Sequence, residues 1–484
     1  MSAPRELLRS VVVAGGGLTG VLAALALRRA LPATQITVIS MPQNAAAFAD
    51  RAANALPYAH RFLERLGLPE DRIVLQAGGS HRLMTRYFGW SGEGSAAAFP
   101  YGAITDPALL TGFVRDWGGG RRGANVQTPP GSVAEMLADA GRYQPGLPGV
   151  EHALRWHPAS LRDLAIGMAA SLGVQHIQGR IGAVRLDAQG IAAGFLVEGA
   201  GEIAADLFVD CTGPAASLLA QMPGAERIDW SASLPVREVF FGKPGQPVLA
   251  LEDRVSLTPA GWLHQMPGRD GLQRTLGVAR TANEQSVVAA LGGEPVDRAA
   301  FVPGRASAAW LGNVVALGDA AAVFEPLMGL NADFALRQID LLLELLPGHD
   351  IVRDIFPGER DEYNRRTALL AGNVRDLLGA HYCSAAAQSL FGPIAVSDTL
   401  ELAVDQFTRR GRTPFFEESP LLEQERASLF SALGLPRGRG SLPAVDDTDS
   451  AREFAGRMRA VLQAAPPYPQ WMAGVLQHAR EAQS

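Results

Sequence analysis

Lysine is all but missing from this chain. Lys243, in FGKPGQP, is the only one, so the rest of its 43 basic residues are arginines. Cysteine is almost as scarce. Cys211 and Cys383 are the only two, too few for a disulfide framework, so a reducing cytosol is the expected compartment. No apolar run reaches the roughly 18 residues of a membrane span, and no membrane partner is expected. Basic excess is missing too. A net charge of −6 with a pI near 5.9 gives no electrostatic reason to expect nucleic acid or an anionic membrane surface. No H-x-x-x-H, C-x-x-C or carboxylate cluster has metal-ligand spacing, so no metal is expected. Arg5 and Arg9 ahead of the apolar stretch 11–27 imitate a secretory signal. Three consecutive glycines inside that stretch, and Arg28-Arg29 where small residues should follow, argue against one.

What the chain does have is two informative segments about three hundred residues apart. VVVAGGGLTGVLAALAL reads as strand, glycine turn and helix. Gly15, Gly17 and Gly20 stand in the GxGxxG spacing that lets backbone approach a pyrophosphate at a helix N-terminus. ITVIS (36–40) reads as the next strand. Its last residue, Ser40, stands where an acid usually grips a ribose, so adenosine binding loses a bidentate contact. The second segment, NVVALGDAAAVFEPLMGLN, is another strand-like run, ending in Gly318-Asp319. It resembles the flavin monooxygenase group, in which the acid of such a Gly-Asp holds a ribityl hydroxyl. The resemblance implies FAD as cofactor.

With 484 residues, 47% of them hydrophobic, the chain can bury a large core; its length allows about three domains, and two interleaved ones in a single unit fit equally well. Residues 91–150 read as loops and short elements. PASLRDLAIGMAASLG has helical period, VQHIQGRIGAVRLD and GIAAGFLVEG alternate as strands, and IAADLFVDCTG is a buried strand ending in a turn. Residues 230–300 suggest a mixed sheet, 332–346 a long helix, and 358–405 and 450–480 further helices, with 435–450 as a linker. The expected class is α/β: a Rossmann-like FAD-binding domain with an interleaved mixed-sheet and helical substrate domain. The FAD domain is expected from residues 1–100, 150–215 and 300–345. The substrate and helical region takes 101–149, 216–299 and 346–484.

Together these segments resemble the flavin-dependent tryptophan halogenase family, a branch of the FAD monooxygenase superfamily. The likeness runs through FLERLGL (62–68), SHRLMTRYFGW (80–90), LFVDCTG (207–213), GWLHQMP (261–267), FEPL (324–327), EYNR (362–365) and RDLLGAHY (375–382). It implies a cytoplasmic two-component flavoprotein. A separate flavin reductase supplies reduced flavin, and a small aromatic substrate or tryptophyl group sits above the cofactor. In that family reduced flavin and oxygen form a flavin hydroperoxide that oxidises halide, and a lysine beside the substrate receives the hypohalous acid.

Three departures fall where that chemistry is controlled. The lysine position in SHRLMTRYFGW holds Arg82, whose permanently charged guanidinium is a poor N-halogenated intermediate. After FEPL, where halogenases continue with a glutamate and small hydroxyl residues, the chain has Met328, Gly329, Leu330 and Asn331. Pro326, Gly329 and Asn331 instead resemble aromatic hydroxylases, in which such residues open a helix at the flavin pyrimidine ring. A helix N-terminus suits anionic reduced flavin there, although a turn and an N-cap would read the same way. In GWLHQMP, His264 replaces a second tryptophan and adds an acid–base group. Glu325 is the one acid of the flavin-proximal segment, a base or a loop carboxylate. Tyr87, Phe88, Trp90 and Trp156 are candidates for an aromatic box or for ordinary core. His81 neighbours Arg82 on a strand, so at most one of the two is expected to point into a pocket. His157 and His176 are isolated.

Three readings stay open. One is a monooxygenase acting on an indole or tryptophyl group through Arg82, His264 and Glu325. Another is a halogenase using Arg82 in place of lysine. The last is a degenerate member that binds flavin or ligand without turnover.

Overall fold

A computed structural model describes residues 8–102, 132–346, 357–438 and 448–482. Val11 to Ala14 are buried on both faces, as a central parallel strand requires. Strand Ser10–Ala14 lies between Leu207–Asp210 and Gln35–Ser40, all parallel, in a six-stranded sheet. Gln175–Gln178 extends one side; Val314–Ala316 and the antiparallel Trp310–Leu311 extend the other. The helix Leu18–Ala30 is rich in Ala and Leu, good helix formers, and ends at Leu31 ahead of Pro32. It is buried from Leu18 to Leu27, packed against helices Pro158–Ser171 and Leu330–Leu345. The sheet therefore gathers the glycine loop and the Gly318 turn at the same strand ends.

The second layer is a seven-stranded sheet in the order Pro295–Ala300, Glu238–Gly242, Gln273–Val278, Gly261–Met266, Glu252–Thr258, Met84–Phe88 and Ala96–Pro100. All its pairings are antiparallel except that of Glu252–Thr258 with Met84–Phe88. Trp262 lies opposite Gly277, where an added Cβ would come within 2.1 Å of the indole. The glycine is what lets that indole lie flat across the neighbouring strand.

Met84–Phe88 and the edge strand Ala96–Pro100, both within the 1–100 segment expected of the FAD domain, belong to the sheet that carries Trp262 and His264. Met84–Phe88 pairs with Glu252–Thr258, far along the chain, which local pattern does not encode. The described part of 91–150 includes that strand and a helix at Val133–Asp139. Most of the expected linker at 435–450 falls outside the described residues. The long helix after the Gly-Asp turn runs Leu330–Leu345, and the C-terminal region contributes Pro357–His381, Ala385–Phe391, Asp398–Arg410, Glu423–Ala432, Thr448–Ala464 and Tyr468–Glu481. Among the described residues no helix is long and apolar enough to cross a membrane.

Candidate functional site

The glycine loop is built so that only glycine fits. Gly15 has φ +112°, and a Cβ there would lie 2.2 Å from the Cys211 carbonyl oxygen. A Cβ on Gly20 would lie 1.9 Å from the Gly15 carbonyl oxygen. Ser40 faces the loop, its Oγ 2.1 Å from where a Gly16 Cβ would stand. Gly17 caps the helix without a side chain of its own, and the helix takes its anion from elsewhere. Asp50 Oδ1 accepts a hydrogen bond from the Thr19 N–H at 2.8 Å, beside Gly17. A carboxylate seated at a helix N-terminus marks an anion site. Burial raises the Asp50 pKa even though Thr19 favours the charged form.

Gly318 and Asp319 meet this loop directly. Gly318 has φ +58°, its N–H donates to Gln338 Oε1 at 2.7 Å, and a Cβ there would sit 3.2 Å from Thr19 Cγ2. Asp319 Oδ2 accepts from the Ala49 N–H at 2.7 Å. Burial, with the nearby Asp50 charge, drives the Asp319 carboxyl well above the usual range. Ala49 and Asp50 are therefore held between the two cofactor motifs. Beyond Phe324-Glu325-Pro326-Leu327 come two left-handed residues, Met328 at φ +63° and Gly329 at φ +77°. The non-glycine residue there is strained, a cost that folds bear at functional turns. Gly329 caps the Leu330–Leu345 helix with no side-chain bond, and Asn331 Nδ2 donates to Phe324 O at 3.0 Å, closing the turn.

Glu325 is buried with Tyr382, whose hydroxyl lies 2.6 Å and 2.7 Å from its two carboxylate oxygens. The Trp262 indole N–H donates to that hydroxyl at 3.2 Å. Burial pushes the Glu325 pKa up to about 7, against the opposing pull of Tyr382 and Trp262. It is thus a carboxyl poised to exchange a proton near neutral pH.

Arg82 is fully buried in an ionic cluster. One Nη donates to Asp253 Oδ2, the other to Ala55 O at 2.6 Å, and the guanidinium lies 5.0 Å from the Tyr101 ring centre. Asp253 also accepts from Arg155 Nε at 2.6 Å and Asn54 Nδ2 at 2.7 Å. The two guanidinium groups, Arg155 first, hold its carboxyl well below the ordinary range against burial. Asn54 in turn packs at Gly329, where a Cβ would be 2.7 Å from its Oδ1, so the cluster abuts the helix start. His264 Nε2 is 3.5 Å from Asp253 Oδ2, too far for a good hydrogen bond, and both its ring nitrogens are buried without partners. Arg82 Nε and Arg155 Nη2 are likewise buried and unpartnered. Unsatisfied donors gathered around one carboxylate leave polar valence for a ligand.

The other candidates scatter. The Trp90 indole N–H donates to Val255 O at 3.0 Å, and Tyr87 pairs with His381 at 3.1 Å. The Trp156 indole N–H donates to Ala52 O at 2.8 Å, and Phe88 lies under Arg254, so the four aromatics form no single box. His81 turns to Glu70 and Tyr468, away from the Asp253 cluster. His157 caps helix Pro158–Ser171, and Lys243 is exposed at the end of strand Glu238–Gly242. Sequence reasoning missed Asp50, Asp253 and Tyr382. Only Tyr382 carried a signal, as the last residue of RDLLGAHY, and that signal did not identify its partner.

These residues fit FAD. The loop that excludes side chains and already holds a carboxylate at its helix would take the pyrophosphate. Ser40 would face the ribose, Asp319 the ribityl chain, and Pro326, Gly329 and Asn331 the ring. The tryptophan halogenase family matches residues 10–437. The chain is 25% identical over 416 residues to tryptophan 7-halogenase KtzQ of Kutzneria sp. (strain 744), covering 78% of this chain and 76% of that one. It is 24% identical over 414 residues to tryptophan 7-halogenase RebH of Lentzea aerocolonigenes, covering 77% and 76%. Among solved structures it superposes on BrvH, a flavin-dependent halogenase from Brevundimonas sp. BAL3, with a TM-score of 0.85 at 25% identity, covering 97% of this chain and 99% of that one. The fold, with its two cofactor motifs in contact, and these likenesses agree: the chain belongs to the tryptophan halogenase family of FAD-using flavoenzymes.

Proposed function

We propose that this family member is an FAD-dependent monooxygenase of an electron-rich aromatic, an indole or tryptophyl group, served by a separate flavin reductase. The observation that carries this reading is the state of Arg82. At the position where halogenases of this family carry a reactive lysine, the chain has a buried guanidinium fastened to Asp253 and Ala55. Its delocalised charge leaves no amine lone pair to capture hypohalous acid. Bound and reduced, FAD supplies with oxygen the electrophile. The chain's residues do the rest. The Met328-Gly329 turn opens the Leu330 helix, whose first-turn N–H groups would stabilise negative charge on a bound flavin ring. The bare Arg82 Nε–H and His264 nitrogens orient the substrate, and Glu325 takes the proton released when the oxygenated ring regains aromaticity. The two free thiols suit a reducing cytosol. Halogenation is the second reading, favoured by the similarity to KtzQ, RebH and BrvH. Arg82→Lys distinguishes the two. In a monooxygenase it does not create halogenation, because the residues after FEPL also differ, and Arg82→Ala weakens substrate binding and raises peroxide release without changing the product. Halogenation that appears in Arg82→Lys would refute the first reading.

Glu325 gives a test with a sign. Its folded pKa of about 7 exceeds an unfolded value near 4.5, so the folded state holds more protons between those limits. The stabilisation is complete below about pH 4.5 and is lost as pH rises through 7, a change on the order of 3 kcal/mol. Glu325→Gln should flatten that dependence, leave the protein more stable than wild type at pH 8, and lower turnover about 100-fold. Urea unfolding from pH 5 to 8 checks it; equal slopes for both proteins would remove Glu325 from the acid–base role.

Asp50, which holds the Thr19 N–H, would compete for it with a bound pyrophosphate. Asp50→Asn keeps an acceptor there without the charge and should tighten FAD binding about tenfold, about 1.4 kcal/mol. Fluorescence titration reads this directly, and an unchanged or weaker affinity would contradict it.

A further inference from the structure

We infer that His60, Glu70 and His152 form a binding site for one divalent transition metal ion, of the zinc class, on the far side of strand Ser80–Arg82 from the Asp253 cluster. His60 lies on helix Tyr58–Arg65, Glu70 opens helix Glu70–Gln76, and His152 precedes strand Ala153–Arg155. One ligand atom from each lies within 4.8 Å of the others. The His60 and His152 rings stack with centroids 4.5 Å apart and planes 16° from parallel. Glu70 Oε2 is 2.7 Å from His152 Nε2, and Glu70 Oε1 is 2.8 Å from His81 Nε2. A purely structural pin accounts for those two bonds. It does not account for the third imidazole, whose Nδ1 is buried beside the pair without any partner.

The donor set is of the right kind. Burial lowers the His60 pKa to about 4, so the ring is neutral at physiological pH, the form that binds metal. Two histidines hold Glu70 well below the ordinary carboxylate range despite its burial, so it is an anion. Two imidazoles and one carboxylate suit a borderline ion such as Zn²⁺, whereas Ca²⁺ and Mg²⁺ want oxygen ligands throughout. Bonds of about 2.1 Å place tetrahedral ligand atoms about 3.4 Å apart, so Glu70 Oε2 and His152 Nε2, now 2.7 Å apart, would open slightly to admit the ion. Glu70 and His152 keep side-chain exposures of 25% and 12%, enough for entry and for a water as fourth ligand. The ion takes the place of the hydrogen bond between Glu70 and His152. The bond from Glu70 to His81, continued from His81 Nδ1 to the Tyr468 hydroxyl at 3.0 Å, holds the carboxylate in orientation. His81 adjoins Arg82 in strand Ser80–Arg82, so the ion would anchor the strand that carries Arg82.

Calorimetric titration of the full chain with Zn²⁺, and with Co²⁺ followed by visible absorption, tests this. The expected result is one ion per chain with a dissociation constant below about 100 µM, ligand-field bands of a four-coordinate Co²⁺ site, and a higher Tm with metal. His60→Ala leaves both Glu70 hydrogen bonds in place, and His60→Phe also keeps the ring stack; each should weaken binding at least about tenfold, as should His152→Ala, with His157→Ala unchanged. Absence of saturable binding, or binding undiminished in both His60 variants, would overturn the assignment.

Discussion

Asp253→Ala should cost about 3–5 kcal/mol of folding stability, the largest single effect expected outside the cofactor loop. The carboxylate is the common acceptor for Arg82, Arg155 and Asn54, and none of the three ionic side chains has appreciable solvent access. Removing it leaves two guanidinium groups buried against each other's charge. The fold cannot hydrate them without opening the join between strand Ser80–Arg82 and strand Glu252–Thr258. Arg82→Met should be milder, because Arg155 still neutralises Asp253. Chemical denaturation of the two variants reads the difference. Similar, small losses in both would mean that water reaches the cluster and that Arg82 is not locked.

Gly17→Asp should abolish FAD binding, a loss of at least about 100-fold, or about 2.7 kcal/mol. Even a methyl group there would lie 1.8 Å from Asp50 Oδ2, so a side chain must displace the buried Asp50 carboxylate and its hydrogen bond from Thr19. The introduced carboxylate adds like charge beside Asp50 at the helix N-terminus where the pyrophosphate belongs. Flavin absorbance and fluorescence titration measure the loss. An FAD affinity in the variant equal to that of wild type would show that the cofactor lies elsewhere.

What the sequence made legible was local. Gly15, Gly17 and Gly20 announce themselves because their constraint, backbone in place of a side chain, depends on spacing alone. The helix expected at 332–346 runs Leu330–Leu345, and its start is strained at Met328, which the sequence could not reveal. The site's ionic chemistry was not legible, because it depends on distant pairs. Asp253 reaches Arg82 across 171 positions, and Tyr382 reaches Glu325 across 57. Arg82 and Glu325 were recognisable as candidates from the motifs around them. Their partners come from strands and helices whose pairing no single window encodes, and those partners decide that one is immobilised and the other poised to titrate. His60, Glu70 and His152 illustrate the same limit, since their spacing of 10 and then 82 residues matches no metal-binding pattern.

The most direct test of the account is product mass from the purified chain, given reduced FAD, oxygen and saturating bromide, over a panel of indoles and tryptophan-containing peptides. The locked Arg82 predicts a gain of one oxygen and no bromine. Robust bromination by the wild-type protein would contradict the account and establish the halogenase reading in its place.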